Sequence, residues 1–170
     1  LVTGIIRRDG SSRFGSNNKF ANFPSFSIGW NVSKENFWPT NKYVNLFKLR
    51  LGSGKTGNDG NIPDFRYLST VAGGYNYTIG SGSTVVTGYS PVTLDNPDLK
   101  WEETTQTNVG FDAQVLSDFN ISFDVYNKKT KGILRPVRVP SYVGVSDYPS
   151  GNVADMKNTR SEERRVGKEC

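Results

Sequence analysis

The chain of 170 residues contains no histidine, one cysteine (Cys170, its last residue) and one methionine. These absences exclude histidine-based acid–base triads, histidine-ligated metals, disulfide frameworks and CxxC motifs. No apolar run approaches the roughly 18 residues that a membrane-spanning helix needs, and no charged-then-apolar leader is visible at the start. The net charge of +5 comes from dispersed basic residues. Only Lys128-Lys129-Thr130-Lys131 is dense, and no basic stripe interleaved with stacking aromatics appears, so nucleic acid is not an expected partner. What the chain has in quantity is 18 glycines, 8 prolines and the aromatics, with 10 Phe, 8 Tyr and 3 Trp. That composition favours strands and turns over helices.

Side-chain alternation carries most of the information, because successive residues of a strand point to opposite faces. From Asn22 to Val32 the even positions are Pro24, Phe26, Ile28, Trp30 and Val32, against Phe23, Ser25, Ser27, Gly29 and Asn31. Between Tyr43 and Ser53 one face carries Tyr43, Asn45, Phe47, Leu49 and Leu51, and the other includes Lys48 and Arg50. Trp101 to Val115 sets Trp101, Thr105, Thr107, Val109, Phe111, Ala113 and Val115 opposite Gln106, Asn108, Gly110, Asp112 and Gln114. Phe119, Ile121, Phe123 and Val125 answer them, opposite Asn120, Ser122, Asp124 and Tyr126. Only Leu116-Ser117-Asp118 separates these two segments, which predicts a tight antiparallel hairpin. Leu1–Arg8 and Gly151–Asn158 are weaker candidates for a first and a last strand. The fold class is all-β, an antiparallel meander of about six long strands.

Strands of this length suit a membrane barrel, since nine to eleven tilted residues cross a bilayer whereas globular strands are typically five or six. The connections are also lopsided. Ser33–Lys42 and Leu116–Asp118 are short, while Arg8–Ala21, Gly54–Leu99 and Arg135–Ser150 are long, and chain direction puts the two kinds at opposite ends. Outer-membrane barrels have brief periplasmic turns and extended outer loops. Trp101 and Tyr43 open the apolar faces of their strands where interfacial aromatics belong. Phe26, Ile28, Phe47, Leu49, Val109, Phe111, Phe123 and Val125 are then lipid-facing. Lys48, Arg50, Asp112 and Asp124 face a wet lumen, because a cation in mid-membrane costs about 2–4 kcal/mol. A secreted carbohydrate-binding β-sandwich is the alternative, with a second layer covering the apolar face.

Other motifs carry less. Gly54-Lys55-Thr56 lacks the glycine that a phosphate-binding loop needs five positions earlier, where Leu49 stands. Asn58, Asp59, Asn61 and Asp64 depart from calcium-loop spacing and read as turn chemistry. Glu102 and Glu103 are adjacent, so on a strand they diverge and make a poor acid–base pair. Ser33 and Asn36 are placed to open one helical turn that holds Phe37 and Trp38 at the lower interface. No nucleophile–base set is present, so no catalytic residue, metal site or cofactor is expected.

The blocks Arg7-Arg8-Asp9-Gly10, Phe23-Pro24-Ser25-Phe26-Ser27-Ile28-Gly29-Trp30-Asn31, Leu46-Phe47-Lys48-Leu49-Arg50, Asn96-Pro97-Asp98-Leu99-Lys100-Trp101-Glu102-Glu103 and Asp124-Val125-Tyr126-Asn127-Lys128-Lys129 resemble, in wording and order, the C-terminal barrel of SusC/RagA-type TonB-linked outer-membrane receptors. The resemblance implies a segment of a plugged transmembrane barrel of about 22 strands in the full protein. It further implies import of glycan or peptide, a SusD-like surface lipoprotein over the outer mouth, contact with the TonB complex through a missing N-terminal part, outer-membrane lipid around the wall, and location in the cell outer membrane. Tyr75, Tyr77 and Tyr89 in the longest loop are candidates for ligand or lid contact, because aromatic faces stack on sugars and also suit protein surfaces. Residues 1–158 suit the family. Residues 159–170 do not: Arg160 to Cys170 holds seven charged residues in eleven with no alternation, and reads as non-native readthrough or a disordered tail.

Overall fold

The computed structural model describes residues 1–38, 43–60, 62–81, 84–116 and 119–167. Asn61, Ser117, Asp118 and Cys170 lie outside them. Among the described residues eight strands form: β1 (Val2–Gly10), β2 (Phe20–Asn31), β3 (Val44–Asn58), β4 (Thr70–Thr78), β5 (Val85–Thr93), β6 (Glu102–Val115), β7 (Phe119–Pro136) and β8 (Ser150–Gly167). Six build one antiparallel sheet in the order β1-β2-β3-β6-β7-β8, and β4 with β5 makes a separate two-stranded sheet. The six-stranded meander is the one expected. The β4–β5 hairpin is an addition, inside what reads in sequence as loop.

The register lines up the alternation of neighbouring strands. Val2, Ile28, Leu51, Val109 and Val125 form one cross-strand row, and Trp30, Leu49, Phe111 and Phe123 the next. On this face the rings of Trp38, Phe47, Phe111 and Phe123 follow one another with centroids 5.6, 5.8 and 5.8 Å apart. The apolar face stays open: Phe26 is 49%, Val109 54% and Val125 39% exposed. Among the described residues no second layer covers it, which removes the sandwich alternative.

The buried core sits at the long-loop end. Phe14, Phe23, Ile62, Leu99, Trp101 and Leu134 pack together where the β2–β3 pairing stops at Ser25 and Gly54. Trp101 belongs to this knot, 8% exposed, with its ring 5.1 Å from Phe14 and 5.6 Å from Phe23 and its Nε1 donating to the Asn18 carbonyl at 3.1 Å. It is therefore not an interfacial aromatic. Tyr43 is displaced as well. A register shift between Val44 and Leu46 puts Val44 beside Val115, and the Tyr43 carbonyl accepts from the Leu116 N–H at 2.9 Å. At the short-turn end, Trp30 lies 6.2 Å from Phe37 and donates to Glu35 Oε1. The turn there is a 3-10 segment, Val32–Lys34, opened without a side-chain cap from Ser33.

β8 runs nine residues past the expected end at Asn158. Thr159 to Gly167 pair in order with Asn127 to Phe119. Backbone pairing to β7 supports this extension, whatever its side chains are.

Candidate functional site

On the polar face the strands bring three of the four expected lumen residues together. Arg50 of β3 reaches across Gly110 of β6 to Asp124 of β7, all in one cross-strand row. Its Nη2 donates to Asp124 Oδ2 at 2.9 Å and to Asp112 Oδ1 at 3.0 Å, and its Nε lies 2.9 Å from Asp112 Oδ2. Ser122, unremarked in the sequence although it shares the parity of Asp124, completes the cluster. Its hydroxyl donates to Asp112 Oδ1 at 2.8 Å and accepts from Arg50 Nη2 at 3.2 Å. Arg50, Asp112 and Asp124 are each about one-third exposed, the setting of charges on a wet surface.

Gly110 makes this arrangement possible. A Cβ there would lie 2.2 Å from Asp124 Oδ1 and 2.8 Å from the Phe123 carbonyl oxygen. The carboxylate crosses the strand through the space that a side chain would fill. Lys48 stands apart. It is the register partner of Asp112, but its chain leans over Gly29 of β2, and Asp112 is taken by Arg50 and Ser122. Above the cluster, toward the long loops, lies a shallow trough of 370 Å³ lined by Thr3, Ser25, Ser27, Gly52, Gln106 and Asn108 among others. Its lining mixes apolar Ile5 and Phe26 with the amides of Gln106 and Asn108, small hydroxyls and the Lys128 ammonium group.

The three tyrosines do not form one patch. Tyr75 pairs with Gly88 and Tyr77 with Val86, so both share one face of the β4–β5 hairpin. Tyr89 pairs with Gly73, and the register shift between Gly73 and Tyr75 puts it on the opposite face. Tyr89 is 74% exposed. The hairpin is tied to the loop before β8: the Asp147 N–H donates to the Val92 carbonyl at 2.8 Å, and Arg66 pairs with the Asp147 carboxylate. The Arg66 hydrogen bond holds the Asp147 carboxyl below its usual range.

Two acidic residues of the segment read as turn chemistry, Asp59 and Asp64, are engaged by side chains of the β1–β2 loop. Ser11 donates to Asp59 Oδ2 at 2.6 Å, and Arg13 donates to Asp64 Oδ1 and to the Asp59 carbonyl, both at 2.9 Å. These contacts clasp the β1–β2 loop to the loop after β3, which turn chemistry alone did not foretell.

All eight expected lipid-facing residues lie on the strand parity that carries the exposed valine and aromatic rows, opposite the Arg50 cluster. One long-stranded sheet, apolar on an uncovered side and charged on the other, is barrel wall. Sequence comparison agrees: residues 2–161 match the family described as TonB dependent receptor-like, beta-barrel. The chain belongs to that family. Among its relatives are TonB-dependent receptor P39 of Formosa agariphila, 40% identical over 93% of this chain and 14% of the relative, and TonB-dependent receptor SusC of Bacteroides thetaiotaomicron, 34% identical over 93% of this chain and 16% of the relative. The solved RagAB peptide importer in its closed-closed state superposes with a TM-score of 0.81 at 30% identity, covering 98% of this chain and 18% of that one. In its open-open state the TM-score is 0.80. The chain thus spans about a sixth of its relatives' length, and its six-stranded sheet is an unclosed part of the TonB-dependent receptor barrel. That barrel family is one of outer-membrane receptors.

Proposed function

We propose that this chain is a section of wall, with its outer loops, of an outer-membrane receptor that imports glycan or peptide in a TonB-dependent manner. The open apolar face carries the reading. A sheet of twelve- to eighteen-residue strands in β2, β3, β6, β7 and β8, without a covering layer among the described residues, is stable where hydrocarbon meets that face and water meets the other. In the complete receptor the Arg50–Asp112–Asp124 cluster braces β3, β6 and β7 on the lumen side, and Lys48 offers its charge to the lumen or plug. A SusD-like lipoprotein covers the long-loop end, the TonB complex acts through the part that precedes this section, and the hairpin bearing Tyr75, Tyr77 and Tyr89 meets ligand or lid.

The test uses the complete receptor. It should float with outer membranes and require detergent for extraction, and deletion of residues 70–93 should lower uptake or lid association while leaving the barrel assembled. Recovery as a soluble monomer would overturn the membrane reading; unchanged uptake and lid association would overturn the loop's role.

Residues 159–170 we take as foreign to the receptor. In β8, Glu163 and Arg165 pair with Phe123 and Ile121 and so share the apolar face, where arginine at mid-membrane costs about 2–4 kcal/mol. A native wall strand would put apolar residues there. Sequencing the intact locus past codon 158 decides: an alternating strand supports this, and the same residues would refute it.

A further inference from the structure

At the long-loop end one residue stands in a conformation that its side chain disfavours. Phe65 has a φ of +58°, and a left-handed backbone costs a bulky residue a factor of about 5–30 in population against its ordinary conformations. Burial does not offset this, because the ring is 55% exposed. The turn, closed by the Leu68 N–H donating to the Phe65 carbonyl at 3.0 Å, has to be held in shape by its neighbours. Both residues that flank Phe65 are held, and by different loops. Asp64 Oδ1 accepts from Arg13 Nε of the β1–β2 loop at 2.9 Å. Arg66 donates to the carboxylate of Asp147, in the loop between β7 and β8.

Each anchor is itself fixed. Arg13 Nη1 also donates to the Asp59 carbonyl at 2.9 Å, and the adjacent Phe14 is buried in the knot together with Ile62. On the other side the Asp147 N–H donates to the Val92 carbonyl of β5 at 2.8 Å, and the Val137 N–H closes the base of that loop on the Pro149 carbonyl at 2.7 Å. Among the described residues no hydrogen bond or ion pair joins the β1–β2 loop to the β7–β8 loop directly. They are linked through three consecutive residues whose middle one is strained. Such a turn has two discrete arrangements, left-handed while both ion pairs hold and ordinary once one is lost, and an element of that kind is what energetic coupling between two places requires.

We propose that Asp64-Phe65-Arg66 is a strained relay between the two loops. Release of Arg66 from Asp147 lets Phe65 relax to negative φ, which redirects the chain at Asp64 and frees Arg13, so that loosening the β7–β8 loop also loosens the β1–β2 loop. The relay does not depend on which solvent the sheet meets. The experiment is hydrogen exchange of the complete receptor at neutral pH, read by mass spectrometry over peptides covering residues 11–19 and 137–149. Asp147→Asn should quicken exchange in both, by about fivefold or more within 11–19, and Arg66→Gln, which cuts the same pair from the other side, should do the same. Glycine adopts left-handed φ without strain. In Phe65→Gly/Asp147→Asn the turn therefore keeps its shape, and only 137–149 should quicken. Exchange in 11–19 that ignores both Asp147→Asn and Arg66→Gln, or that quickens equally when Phe65→Gly is added, overturns the relay. So does quickening of 11–19 by Phe65→Gly alone, which would mean that the phenylalanine holds the turn rather than straining it.

Discussion

Gly110 shows how much one missing side chain can decide. Asp124 reaches Arg50 only by crossing above it, and an added Cβ would meet the Asp124 carboxylate at 2.2 Å and the Phe123 carbonyl at 2.8 Å. The first neighbour can swing away, whereas the second is backbone of the adjacent strand and cannot. Gly110→Ala should therefore destabilise the barrel by about 1–3 kcal/mol, read as the fraction of receptor that stays folded, by gel mobility, at rising denaturant. Because part of that cost comes from the carboxylate, adding Asp124→Ala should recover some of it, giving a non-additive pair. Full additivity would mean that Asp124 does not occupy the space over Gly110. Arg50, Asp112 and Asp124 were legible in the sequence from parity alone, since they fall on the polar side of clearly alternating strands. Their contacts were not. Ser122 looks like any small polar residue until the register sets it beside Asp112, and Lys48 has the same parity as Arg50 yet turns to the other neighbour.

At the scale of elements, the long strands wrote themselves into the sequence because one face of each is uniformly apolar over many residues. The β4–β5 hairpin did not: its strands hold Gly73, Gly74 and Gly88, its parity is broken by a register shift, and neither of its faces is consistently apolar. Trp101 misled for a related reason, since alternation reports parity and not whether a loop returns to cover the ring. The same register shift predicts separable tyrosines. Tyr89→Ala and the Tyr75→Ala/Tyr77→Ala pair act on opposite faces, so only one of the two should lower lid association or uptake measurably in the complete receptor; equal losses from both would mean that the partner wraps the hairpin. The clasp between Arg66 and Asp147 adds a pH dependence. A carboxyl held below its usual range in the folded loop stabilises that loop fully above the ordinary carboxylate pKa of about 4, and the contribution fades as pH falls through the lowered value. Limited proteolysis within residues 137–149 should accordingly rise on acidification below about pH 4 and be faster at neutral pH in Asp147→Asn. A cleavage rate that ignores both changes would show that the clasp does not hold the loop.

For the whole molecule the question is which solvent the apolar face meets, and the two answers predict different costs for one substitution. Phe111 sits mid-row between Leu49 and Phe123 on the uncovered side. Were that side in water, Phe111→Arg would lose the contacts of a half-buried ring with Phe47 and Phe123 but leave its charge hydrated, and a like loss would follow from Phe111→Ser. In hydrocarbon the same arginine costs about 2–4 kcal/mol at the midplane and about 0–1 kcal/mol near the interface. Asn127, four residues beyond Phe123 on the same face of β7 and above the valine row, is the matched control. Phe111→Arg should sharply reduce the assembled fraction of the complete receptor in outer membranes, while Asn127→Arg leaves it nearly unchanged. A gradient of that kind along one strand face follows from a slab of hydrocarbon, because cost varies with depth alone. Equal tolerance at both positions would mean that the face is wetted along its whole length, and the assignment of this sheet to a membrane wall would fail with it.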